Sequence, residues 1–574
     1  MTRRLSLLVL LFLYVVSAYT YNYLFIDGKS EYAIVVEADA AQSERTAAYE
    51  FQSYMKQISG VQLPILSRAR AAGNNVYIGY NSKLKSRNIG QPADEDQTYT
   101  YRTIGNDLFI YGGQQHGTMY GVFAFLEREL GVRWYTPEFT KVPQTKRFMM
   151  KEWNHTESPV IKYRVDYFFQ TVKDKAWTAH NLLNANNTIS TSKYGQLSAC
   201  WGIHTFEKLI PPADYFKTHP EYFGVYEGKR SNKTQLCLSN NAMCQELIKN
   251  LKKVINERPG FWCYDVSQND NRFPCECPKC ESLVKTYGGQ SGALLWFVNK
   301  VAAEIKKTHP DIYISTLAYR YTRQAPTSTI KPANNVVIRL CDIECCMAHP
   351  LDQCPENKAF MHDLENWKRI AQNITIWDYT TGFHHYLMPF PNFDVLGRNY
   401  HFLSKSNVIG ILELGSWNAQ WSEWSELKQW LIAKLLWNPQ QDTDSLVTSF
   451  INDYYGKAAP YVRQYYDQCQ KLITPESHFT VGIEHDNKLY TNRFISDSAK
   501  LLEKALKACR DDETRRRTNR LAAQIYYLQL RRQTTRALTN GTSRKLSEIT
   551  RADNTIVGEH KGTADELIHE LNGY

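Results

Sequence analysis

The chain has 574 residues, a net charge of +10, and 43% hydrophobic and 22% charged residues, a balance that is ordinary for a globular protein. This length allows roughly two to four domains, each with a sizeable core. The basic residues form no stripe interleaved with aromatic residues, and the densest run, 510–520, also carries acids, so we expect no nucleic-acid partner.

The first residues predict a secretory signal peptide over 1–18. The chain begins MTRR, continues LSLLVLLFLYVV and reaches the small residues Ser17 and Ala18. Positive residues, an apolar run and small residues near a cleavage site are typical of such signals. We therefore expect a secreted or periplasmic protein, with an uncleaved anchor as the alternative. No later run is long and apolar enough to span a membrane, so we expect no membrane span after signal removal.

A small α+β domain is predicted over residues 22–150. Alternating apolar residues predict its strands, and apolar residues spaced three and four apart predict its helices. The strands are expected at 32–39, 74–80, 97–105 and 107–113, and the helices at 43–58 and 117–130. The region 143–153 is predicted to be a linker.

Strands then alternate with helices over residues 158–440. The strands are expected at 160–169, near 180–187, at 202–206, 261–270, 312–321, 335–344, 373–381 and 408–417. This alternation indicates a parallel sheet, and we predict an α/β fold with a central (β/α)8 TIM-like barrel. Residues 441–574 show helical spacing throughout and predict a C-terminal helical domain.

The predicted barrel strands end in acids and aromatic residues, where such barrels carry their active sites. The strand-end residues are Asp270, Tyr319, Asp342, Glu344, Asp378, Tyr379 and Glu413. Cleavage of a glycosidic bond needs a protonated acid and a second negative or nucleophilic group, so these residues favour a carbohydrate hydrolase. Because side chains alternate along a strand, Asp342 and Glu344 are expected to share a face, whereas Asp378 and Tyr379 are not.

Each of these residues has a structural alternative. Asp342 or Glu344 could form an ion pair with Arg320 or Arg339, and a lone carboxylate is about as often structural as functional. His204 could bind substrate or pack against Phe206. Trp417 could stack on a sugar or belong to the core. Metal binding by His384 and His385 is not favoured, since no nearby acid has suitable spacing.

Eleven of the thirteen cysteines lie between Cys200 and Cys354. Disulfides are the default in an exported protein, and we favour them here. The cluster Cys275, Cys277 and Cys280 could instead hold a metal, with a fourth ligand from Cys237, Cys263 or Cys341. We predict no cofactor and no metal in the active site.

Several ordered stretches resemble the domain-of-unknown-function family 4838, part of which is now glycoside hydrolase family 163. They are HPEYF (219–223), QLCL (235–238), VSQND (266–270), CECPKC (275–280), LAYRYTR (317–323), VIRLCDIEC (337–345), HPLD (349–352), CPEN (354–357), IWDYTT (376–381), PFPNF (389–393) and LLWNP (435–439). The N-terminal domain also resembles the small α/β domain that precedes the barrel in several hexosaminidase and α-glucuronidase families.

The resemblance implies an endo-β-N-acetylglucosaminidase that cuts between the two core N-acetylglucosamines of N-glycans, by a retaining mechanism in which the substrate's acetamide attacks the anomeric carbon. It implies a general acid, for which we choose Glu344, and an acetamide-orienting partner, for which we choose Asp270; the reverse stays open. The further substrate-binding candidates are Asn269, Tyr319, Asp342, Tyr379, Glu413, His204 and Trp417. Leu414 stands where the family pattern has Gln, which puts fine specificity in doubt.

Two other hypotheses stay open. The first is a different glycosidase, either an exo-hexosaminidase or an enzyme that acts on uronic acids, as α-glucuronidases do. The second is a glycan-binding protein on a barrel without activity. In every case the expected partner is a glycan or a glycoprotein.

Overall fold

The computed structural model describes residues 22–70, 73–183, 192–195 and 200–572. The chain forms two compact units. The first runs to Arg133 and includes Val142–Glu157, and the second combines Trp134–Lys141 with the chain from Ser158 onward. The predicted signal peptide lies outside the described residues. Within the described ranges, no helix has the length and apolar character needed to cross a membrane.

The first unit is built on a six-stranded sheet with the strand order β10-β5-β6-β4-β2-β3. β5 pairs antiparallel with β10 and β6, and the other pairs are parallel. The first ten strands of the chain are β1 Tyr23–Ile26, β2 Tyr32–Val35, β3 Ile65–Leu66, β4 Asn74–Ile78, β5 Tyr99–Ile104, β6 Asp107–Gly112, β7 Arg133–Thr136, β8 Phe139–Lys141, β9 Arg147–Met149 and β10 Asn154–Glu157. The helices of this unit span Gln42–Ser59, Ser82–Lys85 and Gly117–Arg128.

The helix Gln42–Ser59 has apolar residues at the spacing that predicts one buried helix face. Its residues Phe51 and Met55 are four apart and fully buried, as one apolar face requires. The helix ends at Gly60, whose left-handed conformation (φ +78°) lets its N–H bind the Lys56 carbonyl. The predicted linker 143–153 is wrong in part, because it contains β9, which pairs with β1.

The second unit contains a curled, fully parallel sheet with the strand order β11-β18-β17-β16-β15-β14. Its strands are β11 Tyr163–Tyr167, β14 Cys263–Asp265, β15 Tyr313–Ala318, β16 Val336–Cys341, β17 Ile374–Tyr379 and β18 Val408–Leu414. The short strands β12 Val225–Tyr226 and β13 Lys229–Arg230 form a separate hairpin. All six residues of β16 are buried, as expected for a parallel strand that is covered on both faces.

Six of the eight expected barrel strands are therefore present in the described residues, in the order that a barrel requires. The strand expected at 202–206 is wrong: Trp201 makes one isolated parallel bridge to Tyr264, and Phe206–Leu209 is helical. The strand expected near 180–187 falls partly outside the described residues, and the part before it, Lys175–His180, is a helix.

Helices surround the sheet and continue to the C-terminus. They span Phe169–Lys173, Lys175–His180, Phe206–Leu209, Pro212–Tyr215, Asn241–Glu257, Pro278–Tyr287, Gln290–Lys306, Lys358–Ile370, Phe393–Ser404, Ser425–Trp437, Thr443–Tyr455, Ala459–Gln470, Asn492–Ala508, Asp512–Arg532, Thr534–Thr539, Thr542–Ala552 and Ala564–Leu571. Short 3-10 helices lie at Ser192–Tyr194, Pro220–Tyr222, Arg320–Thr322, Pro355–Asn357 and Gly456–Ala458. The domain boundary near residue 440 stays a prediction, since the sheet and the C-terminal helices belong to one compact unit.

The C-terminal helices pack against the helix Ser425–Trp437 and its neighbours through buried aromatic and charged groups. The rings of Trp424 and Tyr465 are stacked with their centroids 5.6 Å apart. Arg520 binds Glu426 at 2.7 Å and Asp553 at 2.8 Å. These contacts make the helices part of the same core as the sheet.

Candidate functional site

A cavity of about 900 Å³ lies at the carboxyl ends of the barrel strands. Its barrel side is lined by Tyr167, Ile203, His204, Lys208, Asp270, Leu317, Tyr319, Arg320, Cys341, Ile343, Trp377, Tyr379, Phe383, His384, Leu414 and Trp417. Its other side is lined by Val481, Glu484, Glu559, His560 and Lys561 from the C-terminal region. Of the predicted site residues, the cavity thus brings together Asp270, Tyr319, Tyr379, His204 and Trp417.

Aromatic side chains form much of the cavity wall because the strands alternate. Trp377 and Tyr379 are two residues apart on β17 and both line the cavity. Asp378 lies between them and points to the opposite face, as the alternation predicts. Burial raises the pKa of the Tyr379 hydroxyl well above its ordinary value, so it remains a hydrogen-bond donor.

Asp270 is the one carboxylate from a barrel strand end among the described lining residues. It follows β14, and its side chain is 53% exposed. The Tyr319 hydroxyl donates a hydrogen bond to Asp270 Oδ1 at 3.3 Å, and Arg320 Nη2 lies 3.4 Å from the same oxygen. Asp270 therefore presents its carboxylate to the cavity beside one phenol and one guanidinium.

A network of amides positions the Asp270 loop. The Gln235 side chain binds both backbone polar groups of Asn269. Its Nε2 donates to the Asn269 carbonyl at 2.8 Å, and its Oε1 accepts the Asn269 N–H at 2.9 Å. The Asn269 side chain accepts the Glu207 N–H at 3.0 Å. This bond places Asn269 at the start of the helix Phe206–Leu209 rather than among the described cavity-lining residues.

His204 lies beside Asp270 and Tyr319 in the cavity wall. Its Nδ1 is 2.7 Å from the Gln268 carbonyl, which can only accept, so Nδ1 carries a proton. The backbone of His204 is left-handed (φ +51°), a conformation that is uncommon for residues other than glycine. The position suits a substrate contact better than the packing role against Phe206.

The opposite wall contains two carboxylates that the strand pattern did not indicate. Glu484 binds His384 Nδ1 at 2.6 Å and His385 Nε2 at 2.9 Å, and these bonds lower the pKa of Glu484 to about 2. Glu559 accepts a hydrogen bond from Trp417 Nε1 at 2.9 Å. Both glutamates lie in breaks between C-terminal helices, next to histidines and glycines. This local composition is the sequence feature that could have indicated a functional role for them.

Four other carboxylates form a row across neighbouring strands on the opposite face of the sheet. Asp378 on β17 and Asp166 on β11 are each in register with Glu413 on β18. Asp342 comes directly after Cys341, which is in register with Trp377. All four are buried, and none is among the described lining residues of the cavity. The predicted substrate-binding residues Asp342 and Glu413 therefore lie outside the cavity lining, and the strand pattern gave no signal for Asp166.

Burial dominates the electrostatics of this acid row. It raises the pKa values of Asp342, Glu413 and Asp166 well above the ordinary range, and neighbouring acids raise those of Asp342 and Glu413 further. Burial also raises the pKa of Asp378 to about 6, although hydrogen bonds from Tyr379 N–H and from the two neighbouring acids oppose the rise. The row therefore holds protons that an exposed set of acids would release.

Glu344 lies away from both groups. β16 ends at Cys341, and the chain turns so that the Cys345 N–H binds the Asp342 carbonyl at 2.7 Å. Because of this turn Asp342 is buried while Glu344 is exposed, so the predicted shared face is wrong. Glu344 Oε2 forms an ion pair with Arg323 Nη1 at 2.5 Å, whereas its neighbour Ile343 lines the cavity.

A family model, described as a domain of unknown function (DUF4838), matches residues 134–467. The match covers more than half of the chain. The chain belongs to this family. The matched region contains every barrel strand and Asp270, whereas Glu484 and Glu559 lie beyond it. No curated protein matches the chain.

Two solved structures are similar in fold. One is a family GH115 4-O-methyl-α-glucuronidase, BtGH115A, with specificity for decorated arabinogalactans. The two sequences are 12% identical, the alignment covers 91% of this chain and 76% of that chain, and the TM-score is 0.58. The other is CpGH84B, with 10% identity, coverage of 95% and 97%, and a TM-score of 0.50. At these identities the likeness concerns the fold.

All thirteen cysteines have free thiols in this structure, so it shows none of the disulfides expected for an exported protein. Two groups of cysteines and histidines instead converge in metal-like arrangements away from the cavity. A third group, His385, Glu484 and His485, lies at the cavity wall. There both ring nitrogens of His385 already have partners, Tyr527 Oη at 2.5 Å and Glu484 at 2.9 Å.

Proposed function

We propose that this protein is a secreted glycoside hydrolase, an endo-β-N-acetylglucosaminidase that releases N-glycans by cleaving the chitobiose core. The observation that carries the proposal is Asp270, a strand-end carboxylate that lies beside Tyr319 in an open cavity with aromatic walls. Aromatic rings stack on sugar faces, and a positioned carboxylate is what glycosidic cleavage requires. The fold likeness to a 4-O-methyl-α-glucuronidase supports the same general chemistry.

In the proposed reaction the acetamide of the substrate attacks its own anomeric carbon, and the glycosidic oxygen leaves with a proton. Asp270 accepts the acetamide N–H and holds it in line, because an ionised carboxylate only accepts hydrogen bonds. The Tyr379 hydroxyl, kept protonated by burial, donates to the acetamide oxygen and orients it toward the anomeric carbon. The oxazolinium that forms is then opened by water, which restores the original anomeric configuration.

Glu344 is the proposed general acid, and the geometry supports it less strongly than Asp270. Its exposed carboxylate is paired with Arg323 and is not among the described lining residues of the cavity. To donate a proton, Glu344 has to exchange Arg323 for the leaving oxygen when substrate binds. The reverse assignment, with Asp270 as the acid, requires no such movement.

The proposal is tested with a purified N-glycoprotein and mass analysis of the released products. We expect glycans that end in a single reducing N-acetylglucosamine. Asp270→Asn should lower the rate by about 10²–10³-fold, the range typical of losing one charged or polar group that stabilises the transition state. Asp311→Asn is the matched control, because Asp311 is an exposed carboxylate just before β15, at the opposite end of the sheet. Release of intact glycan by Asp270→Asn at the wild-type rate would contradict the assignment.

A second candidate is a glycosidase for uronic acids. Three cationic side chains could bind a substrate carboxylate, since Lys208, Arg320 and Lys561 all line the cavity. Release of an acidic monosaccharide from decorated arabinogalactan, with no cleavage of the glycoprotein, would favour this candidate. Binding of glycan without any released product would instead favour a non-catalytic glycan-binding protein.

A further inference from the structure

We propose that the chain holds two structural Zn²⁺ ions at two separate clusters of cysteine and histidine side chains. The ligands of the first, the four-cysteine site, are Cys237, Cys275, Cys277 and Cys280. The ligands of the second, the Cys2His2 site, are Cys346, His349, Cys354 and His478. Each set offers four sulfur or nitrogen atoms within 4.8 Å of one another, which matches the two commonest donor sets of structural zinc.

The sulfur spacing of the four-cysteine site fits a metal and not a disulfide. Cys237 Sγ lies 3.8 Å from Cys277 Sγ and also 3.8 Å from Cys280 Sγ. A disulfide needs about 2.05 Å between sulfurs. Four Zn–S bonds of about 2.3 Å at tetrahedral angles place the sulfurs about 3.8 Å apart.

Polar groups of the backbone and of a serine lie next to the sulfurs of this site. Val225 N–H donates to Cys275 Sγ at 3.4 Å, and the Ser239 hydroxyl lies 3.2 Å from Cys280 Sγ. Cys277 is the N-cap residue of the helix Pro278–Tyr287, so it lies at the positive end of the helix dipole. Hydrogen bonds from the protein to ligand sulfurs are the usual second layer of a structural metal site.

The four-cysteine site closes the loop that carries Asp270. Cys275 lies five residues after Asp270. Cys237 lies two residues after Gln235, whose side chain is hydrogen-bonded to the backbone of Asn269. A metal that joins these segments would hold Asp270 against Tyr319 without contacting substrate.

The Cys2His2 site has independent geometric support. Cys346 Sγ lies 3.7 Å from His349 Nδ1 and 3.4 Å from His478 Nδ1. Cys354 Sγ lies 4.0 Å and 3.6 Å from the same two nitrogens. A tetrahedral ion with Zn–S and Zn–N bonds of about 2.3 and 2.1 Å requires roughly 3.6 Å between sulfur and nitrogen.

The tautomer of His349 agrees with this role. Its Nε2 is 3.0 Å from the Thr474 carbonyl and must donate to it, which leaves Nδ1 as a lone-pair donor facing the sulfurs. His478 comes from a turn between C-terminal helices, and the Met347 N–H binds the Phe479 carbonyl at 2.9 Å. The site therefore fastens the loop after β16 to the segment that brings Val481 and Glu484 into the cavity.

The test is the zinc content of the full-length chain, purified under reducing conditions and washed free of loose metal. We expect about two Zn²⁺ per chain. Cys280→Ser and His478→Ala should each lose one, and the double variant should lose both. Cys244→Ser and His362→Ala are matched controls, since Cys244 is buried outside both clusters and His362 is exposed on another helix. Both controls should keep two ions.

A second measurement avoids variants that fail to fold. Cysteine alkylation is mapped by mass spectrometry on the wild-type chain before and after chelation. The six cluster cysteines should be protected only while metal is bound, and the Cys2His2 site should open first because His478 is exposed. A chain that retains no Zn²⁺ after reconstitution, or that forms disulfides among the cluster cysteines, overturns the proposal. Retention of two ions by Cys280→Ser or His478→Ala overturns the assigned ligands.

Discussion

Asp378 and Glu413 lie directly beside each other on the parallel strands β17 and β18, and both carboxyl groups are buried on the face of the sheet that points away from the cavity. Asp166 and Asp342 extend the row on either side. Two ionised carboxylates at such short range repel each other strongly in a medium of low polarity. The row therefore works as a set of protonated or proton-sharing acids rather than as an ionised site.

The first prediction concerns the pH dependence of stability. The pKa of Asp378 is raised to about 6 in the folded chain, so the stability that it contributes is complete below pH ~4 and is lost as the pH rises through ~6. Asparagine does not titrate, so Asp378→Asn does not lose this stability. Relative to wild type, its unfolding free energy should be higher at pH 8 than at pH 4 by roughly 1–3 kcal/mol. Thermal unfolding of both proteins at the two pH values measures this difference in stability.

Asp311→Asn serves as the control for this experiment, because Asp311 is exposed. Its unfolding curves should follow the wild type at both pH values. An equal pH dependence in Asp378→Asn and wild type would show that Asp378 titrates normally.

The second prediction concerns a buried ion pair below the cavity. Lys428 and Glu423 contact each other and have no exposed side-chain surface; Lys428 also donates to the carbonyls of Thr380 and Phe390 at 2.9 Å. Lys428→Met leaves Glu423 buried without its cation and should cost about 3–5 kcal/mol of unfolding free energy. Denaturant unfolding measures this loss.

The double variant Lys428→Met with Glu423→Leu separates charge from packing. Burial raises the pKa of Glu423 to about 7 and lowers that of Lys428, so removing both groups should recover much of the lost stability. A double variant that is as unstable as the single one would mean that the two carbonyl contacts of Lys428 dominate instead.

The third prediction concerns the Tyr379 hydroxyl. Tyr379→Phe should lower kcat for glycan release by about 10²-fold with a smaller effect on KM, since the proposed hydrogen bond orients the acetamide oxygen for attack on the anomeric carbon. Tyr313→Phe is the control, because Tyr313 stands at the amino end of β15, far along the sheet from the cavity. A change in KM alone would assign Tyr379 to ground-state binding.

The fourth prediction concerns the attachment of the C-terminal helices. Arg520 is 6% exposed and joins Glu426 of the barrel helix Ser425–Trp437 to Asp553. Arg520→Leu leaves the buried Glu426 without its cation and leaves Asp553 with Arg516 alone, and it should cost about 3 kcal/mol or more. Arg516→Leu, one turn earlier and 35% exposed, should cost less than about 1 kcal/mol. Equal losses would show that burial does not distinguish the two arginines.

The sequence pattern predicted the direction of side chains correctly where the residues lie inside a regular strand. Period-two alternation correctly separated Tyr379 from Asp378, because both lie inside a regular strand. The same rule failed for Asp342 and Glu344, because β16 ends at Cys341 and a turn replaces the alternation. Where a strand ends depends on the pairing of its neighbours, which a single segment does not reveal.

By itself the sequence determined that a parallel sheet is built from continuous apolar strands and that Asp270 follows one of them. Only the tertiary structure decided which acids share a space. It placed Asp342 and Glu413 on the far side of the sheet, held Glu344 on Arg323, and brought Glu484 and Glu559 to the cavity from beyond residue 440. The physical reason is that strand propensity acts over a few residues, whereas contacts between distant loops depend on how whole helices pack.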